Sequence, residues 1–252
     1  MKCRLCRHLA VAAAICLISI PAGAITFGQL DDFQDGSFEL WTGGSIQTNQ
    51  PTGGPSGDPW DRYLQLSTGG VASNLGAFNT AQWSGDYATA GVTRVNIDLY
   101  NFGPDPVSLR LMITTSATSG CPSPCTAWTS TTATVLPAGG PWAKVEFSLA
   151  ESDLTRVAGA NSYASSIANV AKLHLRHDDG TPSPPGSPAL VNAVLGVDNV
   201  VALPEAPSTN GVLACTILLA WLFPKGKSKE TRKTNSHRVV RDFPKNSSGE
   251  RV

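Results

Sequence analysis

The middle of the chain alternates. Val95, Ile97 and Leu99 are interleaved with Asn96, Asp98 and Tyr100, and Leu109, Leu111 and Ile113 with Arg110, Met112 and Thr114. Val145, Phe147 and Leu149 repeat the pattern around Glu146 and Ser148, as do Leu173 and Leu175 between Lys172, His174 and Arg176. A period of two buries one face of a strand and wets the other. Clusters of Gly, Pro, Asn, Ser and Thr punctuate these runs at the intervals of a sandwich. Helical signals are short: Glu151 to Val157 reads as two turns, and Ala164 to Val170 as another pair. The fold class expected is all-β, a two-sheet antiparallel jelly-roll sandwich over residues 25–203. Its first strand lies near Thr26–Leu30 and its last near Val194–Leu203, side by side. The stretch from Ala189 to Leu203 is Val-rich, as a central strand would be. Pro182 to Pro188 therefore reads as an exposed loop within the domain, since a strand follows it.

The two ends carry other patterns. Lys2, Arg4 and Arg7 precede the apolar run Leu9 to Ile20, and Ala22-Gly23-Ala24 offers small residues to a signal peptidase. An uncleaved N-terminal anchor is the other reading, but Pro21 and the Ala-Gly-Ala triplet favour removal, so residues 1–24 are expected to be a cleaved signal peptide. At the other end the apolar run Val212 to Phe223 is stopped by a basic segment from Lys225. Lysines flanking an apolar block resist translocation, so residues 204–224 are expected to form a C-terminal transmembrane helix, and 225–252 a disordered basic tail on the cytoplasmic side. Gly211 to Phe223 is thirteen residues long, short of the roughly twenty that a span requires. Residues from Ala206 to Asn210 would bring it nearer.

Charge divides along the same boundaries. Residues 25–223 hold seven Lys or Arg against sixteen Asp or Glu, a net of minus nine, whereas 224–252 hold nine against three, a net of plus six. The zero net charge of the chain averages two unlike pieces. An acidic body repels phosphate, so nucleic acid is excluded as its partner. Within the body only Cys121 and Cys125 remain, in Cys-Pro-Ser-Pro-Cys. In an oxidising compartment they close a small disulfide loop. No second Cys or His pair accompanies them to complete a metal site.

Five segments in order, Asp31-Asp32-Phe33-Gln34-Asp35-Gly36, Trp41-Thr42-Gly43-Gly44, Arg62 to Leu66, Gln82 to Tyr87 and Leu195 to Val200, together with Pro204-Glu205-Ala206-Pro207 and its apolar-basic tail, resemble bacterial exported proteins with a PEP-CTERM sorting signal. Their ectodomains look like jelly-roll carbohydrate-binding modules. The resemblance implies sorting by an exosortase-type membrane transpeptidase acting near Pro204, Glu205 and Pro207. It also implies a structural calcium where the first and last strands meet, held by Asp32, Asp35 and Asp198 with Gln34 adding its carbonyl. An acidic loop capping a sheet edge is the other reading of those residues. Two departures stand out: Pro-Glu-Ala-Pro replaces the usual Pro-Glu-Pro, and the tail runs on well beyond the apolar block. A plain membrane anchor, or a degenerate and unprocessed signal, fits these departures.

Sugar recognition draws on exposed aromatic faces and neighbouring hydrogen-bonding groups. The candidates are Trp60, Tyr63, Trp83, Tyr87 and Tyr100, with Arg110, His174 and Arg176 at outward strand positions. The same aromatics also serve as sandwich core. Trp41, Trp128 and Trp142 adjoin turns and are not assigned. Paired catalytic carboxylates and a nucleophile elbow are missing from the sequence, and His174 and His177 alternate to opposite strand faces. The expectation is a non-catalytic envelope or matrix protein that contacts extracellular polysaccharide. A sugar-free adhesive protein and a secreted hydrolase are its rivals.

Overall fold

A computed structural model describes residues 24–205. Residues 1–23 of the expected signal peptide, the apolar run, Pro207 and the basic tail lie outside the described residues. Among the described residues no helix is long and apolar enough to cross a membrane.

The strands in chain order are β1 (Leu30–Asp31), β2 (Ile46–Gln50), β3 (Tyr63–Ser67), β4 (Ser73–Asn74), β5 (Gly76–Asn79), β6 (Arg94–Asn101) and β7 (Val107–Thr114). They continue as β8 (Ala127–Ser130), β9 (Thr134–Leu136), β10 (Ala143–Ser148), β11 (Leu154–Ala158), β12 (Lys172–His177), β13 (Leu190–Val191) and β14 (Val194–Leu203). Two short helices, α1 (Tyr87–Ala90) and α2 (Tyr163–Ile167), are capped by the side chains of Asp86 and Ser162. One sheet runs β10-β6-β14-β3-β2, with β1 also on β14. The other runs β11-β8-β7-β12-β5, with β9 on β7. Every strand pair is antiparallel, and β13 with β4 makes a small third sheet. The molecule is an all-β antiparallel sandwich of two large sheets.

Alternation explains the layers. Leu64, Leu66, Val95, Ile97, Leu99, Val145, Phe147, Leu195 and Val197 face inward from the first sheet, and Leu109, Leu111, Ile113, Leu173 and Leu175 from the second, in one continuous core. The first strand does pair with the last, with Leu30 opposite Val201, although it begins four residues later than Thr26. The segment from Glu151 to Val157 is not a helix: one 3₁₀ turn (Glu151–Asp153) leads into β11. The acidic start resembles a helix N-terminus, but the β-branched Thr155 and Val157 favour the ladder that β11 makes with β8. The second expected helix is present as α2, starting and ending slightly earlier.

Cys121 and Cys125 are disulfide-bonded. With Met112 and Ala127 they form a small second core on the outer side of the second sheet.

Candidate functional site

The outer face of the first sheet collects aromatic rings. Parity along β6 points Tyr100 outward, opposite to the buried Leu99, and Phe102 follows two residues on. Parity along β10 does the same for Trp142, two residues before the outward Lys144. Gly196 on β14 lies directly beside Tyr100. A Cβ on Gly196 would sit 2.7 Å from Trp142 Cη2 and 2.9 Å from Phe102 Cε2. The missing side chain is what lets both rings settle over the strand.

Tyr63, at the start of β3, closes the group. Its ring is stacked 5.6 Å from Phe102 and meets Trp142 edge-on at 5.3 Å. Tyr100 stacks on Phe102 at 3.9 Å. Offset-stacked and edge-to-face contacts of this kind fix ring orientation. The Trp142 indole N–H donates to the Gly53 carbonyl at 3.0 Å, which ties the cluster to the loop between β2 and β3. Phe102 is exposed and Trp142 and Tyr100 are half-buried, while Tyr63 is buried beneath them. Trp60, on the same loop as Gly53, is 77% exposed.

Acidic and amide groups lie in the next cross-strand row. Asp98 on β6 stands opposite Asp198 on β14. Lys144 Nζ is 3.5 Å from Asp98, and the Asn199 amide donates to Asp98 at 3.0 Å and Asp198 at 3.3 Å. Burial, helped by the carboxylates of Asp61, Asp98 and Asp32, outweighs the Asn199 backbone N–H and pushes Asp198 up to about 8. Around neutrality its carboxyl therefore carries a proton. The ladder bulges between Asp198 and Val201, and Asn199 adopts φ 49°, a conformation that Asn tolerates.

The expected calcium ligands fare differently from one another. Asp32 and Asp61 are near enough to Asp198 to raise its pKa, but Asp35 is exposed and spends its carboxylate on the Ser37 backbone N–H at 2.7 Å. Asp32 likewise accepts the Gln34 backbone N–H. Gln34 turns its side-chain amide to Asp61 and the Arg62 backbone. Among the described residues no three acidic, His or Cys side chains gather as a metal-binding group.

The predicted sugar ligands scatter. Trp83 and Tyr87 are fully buried in the core, where no glycan ring reaches them. Arg110 and Arg176 do point away from the core, as strand parity requires, but the loop after β12 covers them. Arg110 donates to the carbonyls of Ser130, Thr131, Asp178 and Gly180, and Arg176 to those of Ser183 and Pro184. The Arg110 guanidinium and the terminal nitrogens of Arg176 are committed to that cover, while Arg176 Nε is buried without a hydrogen-bond partner. His174 lines a separate cavity beside them. Of the predicted set, Tyr63 and Tyr100 join the aromatic cluster and Trp60 stands exposed on the loop that borders it. Phe102 and Trp142 were missed, although the outward parity of β6 and β10, extended by one step, marks both.

One carboxylate pair does converge. Asp31 and Glu39 interact closely, and burial together with Asp31 pushes Glu39 up to about 7. Asp31 is buried and accepts the indole N–H groups of Trp41 and Trp83, while Glu39 accepts the Phe33 backbone N–H. Both carboxyl groups tie down the loop from Asp31 to Trp41, and Glu39 also lines a surface pocket with Phe38, Leu40 and Trp41.

No family model and no curated protein matches the chain. Among solved structures it is similar to an exo-beta-agarase at 11% identity and a TM-score of 0.48. That match covers 74% of this chain but only 26% of the agarase. It is similar to a family 11 carbohydrate-binding module from Clostridium thermocellum, solved with a beta-1,3-1,4-mixed-linked tetrasaccharide, at 14% identity and a TM-score of 0.43, covering 72% of this chain and 99% of the module. The CBM22-2 xylan-binding domain of Paenibacillus barcinonensis Xyn10C is similar at 16% identity and a TM-score of 0.42, covering 70% and 99%.

Proposed function

We propose that this protein is a non-catalytic, exported polysaccharide-associating module, with the outer face of the first sheet as its contact surface. The observation that carries the reading is the cluster of Tyr63, Tyr100, Phe102 and Trp142 over Gly196. Rigid rings pre-oriented by mutual contact offer a flat apolar surface to the C–H face of a pyranose at small entropic cost. The neighbouring Asp98, Asn199 and Lys144 supply acceptors and donors for hydroxyls, and protonated Asp198 backs them. Trp60 extends the surface along the bordering loop.

Export and envelope sorting rest on the sequence pattern at the two ends. An exosortase-type transpeptidase acting near Pro204, Glu205 and Pro207, and retention by the apolar run, belong to the same proposal. The mass of the mature protein tests it: a product beginning at Ile25 and ending near Pro204 supports both processing steps.

Affinity electrophoresis in gels containing xylan, agarose or mixed-linked β-glucan tests the binding face. At least one polymer is expected to retard the protein, and Trp142→Ala to weaken that retention by about tenfold or more, as loss of a central aromatic anchor does. Retention unchanged in Trp142→Ala, or none in any polymer, would favour the sugar-free adhesive reading.

A further inference from the structure

We propose that the outer face of the second sheet carries a separate pocket for a single carboxylated sugar residue, built around Lys172, Phe78 and His174. This site is independent of the aromatic face and lies on the opposite side of the sandwich.

The cavity has a volume of about 230 Å³ and lies between β5, β12 and the loops that carry Ser119 and Pro188. It is smaller than the 300–1,000 Å³ usual for drug-sized ligands, so it suits one ring rather than an oligomer. Its walls are of two kinds. Phe78 and His174 meet edge to face at 5.8 Å, with Pro185 and Pro188 also lining the space. Lys172 and Arg176 supply the charge, and no Asp or Glu lines the cavity.

Local charge is out of balance. Arg110 and Arg176 share one carboxylate, that of Asp178, at 3.6 and 2.7 Å. Lys172 makes no ion pair among the described residues. Its ammonium reaches the Thr118 carbonyl at 3.1 Å and lies 5.2 Å from the centre of the Phe78 ring. An ammonium has three N–H donors, so it retains capacity for an anion. The side chain is almost wholly buried, in a body whose net charge is strongly negative. A buried cation without a counter-ion is costly, and a bound carboxylate relieves that cost. Burial and the two neighbouring cations keep His174 neutral, with its pKa near 3. Its imidazole thus presents one donor and one acceptor to hydroxyls instead of competing for the anion. A bare inorganic ion would satisfy Lys172 and leave the Phe78 and proline walls unmatched. A neutral sugar would do the reverse. A uronate meets both.

The test is calorimetric titration of the full-length protein with trigalacturonate, with its methyl ester and with sodium sulfate. Trigalacturonate is expected to bind, its ester about tenfold or more weakly, consistent with loss of one charge-assisted contact. Binding should weaken at high salt. Lys172→Gln should erase the difference between acid and ester, Ser119→Trp should block the pocket from its loop, and Trp142→Ala should change nothing. The proposal is overturned if acid and ester bind alike, if neither binds, or if sulfate competes as well as the uronate. It is equally overturned if Ser119→Trp leaves binding intact, or if Trp142→Ala abolishes it, which would move the ligand to the aromatic face. Should Lys172→Gln fail to fold, Ser119→Trp and the ester comparison still decide.

Discussion

The Trp83 indole N–H and the Asp31 carboxylate, 52 positions apart in the chain, meet at 2.6 Å inside the core. Trp41 donates to the same oxygen at 2.7 Å and Gln82 at 3.2 Å. One carboxylate thereby ties the first strand to the Trp41 loop and to the segment entering α1. Asp31→Ala would leave two buried indole donors without acceptors and is expected to cost about 3 kcal/mol or more. Trp83→Phe keeps most of the volume and is expected to cost about 1–3 kcal/mol. Urea denaturation checks both, and equal stability of Asp31→Ala and the parent would sink the anchoring role.

Three carboxyl groups raised by burial, the interacting pair Asp31 and Glu39 together with Asp198, make the stability depend on pH in an unusual sense. Glu39 and Asp198 both titrate above the ordinary carboxylate range, near 7 and 8. A raised folded pKa means that folding takes up a proton. The associated stability is complete below the unfolded pKa, near 4, and is lost as pH rises through 7 and 8. The protein should therefore unfold at lower temperature at pH about 8 than at pH about 5, with each group contributing a slope of at most about 1.4 kcal/mol per pH unit. Asp198→Asn should flatten the dependence above pH about 6 and stabilise the protein at alkaline pH. Equal slopes with EDTA and with calcium chloride would count against calcium at Asp32, Asp35 and Asp198, and a slope abolished by calcium alone would support it.

Strand parity was legible because each half-buried strand records its two environments in alternating positions. It located the inward faces of β6, β7, β10 and β12, and the same rule extended to Phe102 and Trp142 would have found the aromatic cluster. Trp83 and Tyr87 defeated it for a physical reason. They lie in and beside the turn that enters α1, where no period distinguishes a buried ring from an exposed one. Arg110 and Arg176 show a second limit. Their outward orientation was readable, but the layer laid over them by the loop from Asp178 to Pro188 depends on tertiary hydrogen bonds that leave no local trace. The disulfide was readable because only two cysteines remained to pair in the described body.

Gly196 offers a test of the aromatic face that leaves every ring in place. An added methyl would meet the far ends of two side chains, Trp142 Cη2 and Phe102 Cε2, rather than backbone. Gly196→Ala should therefore tilt both rings at a stability cost of about 1–2 kcal/mol while weakening polysaccharide retention several-fold. Near-ultraviolet circular dichroism would report the tilt and affinity electrophoresis the loss. Unaltered retention with an altered aromatic signal would dissociate the rings from binding.

Asp178 holds the cover of the second sheet. It is buried, accepts the Ser183 hydroxyl at 2.6 Å and backbone N–H at 3.1 Å, and lies against both Arg176 and Arg110. Burial alone would raise its pKa, but the Ser183 and Arg176 hydrogen bonds more than offset this and hold it below the ordinary carboxylate range. Its stabilising effect is therefore present above the unfolded pKa of about 4 and lost as pH falls through the lower folded value. Asp178→Ala would leave two buried guanidinium groups without their shared carboxylate, at a cost of about 3–5 kcal/mol. The damage should be local first, because Ser183 and Pro184 reach the sheet through Arg176. Limited proteolysis is expected to cut Asp178→Ala between Asp179 and Pro188 well before the parent chain is cleaved there. Amide exchange in β12 should accelerate while that in β6 changes least. Uniform acceleration across both sheets would mean instead that Asp178 supports the whole sandwich.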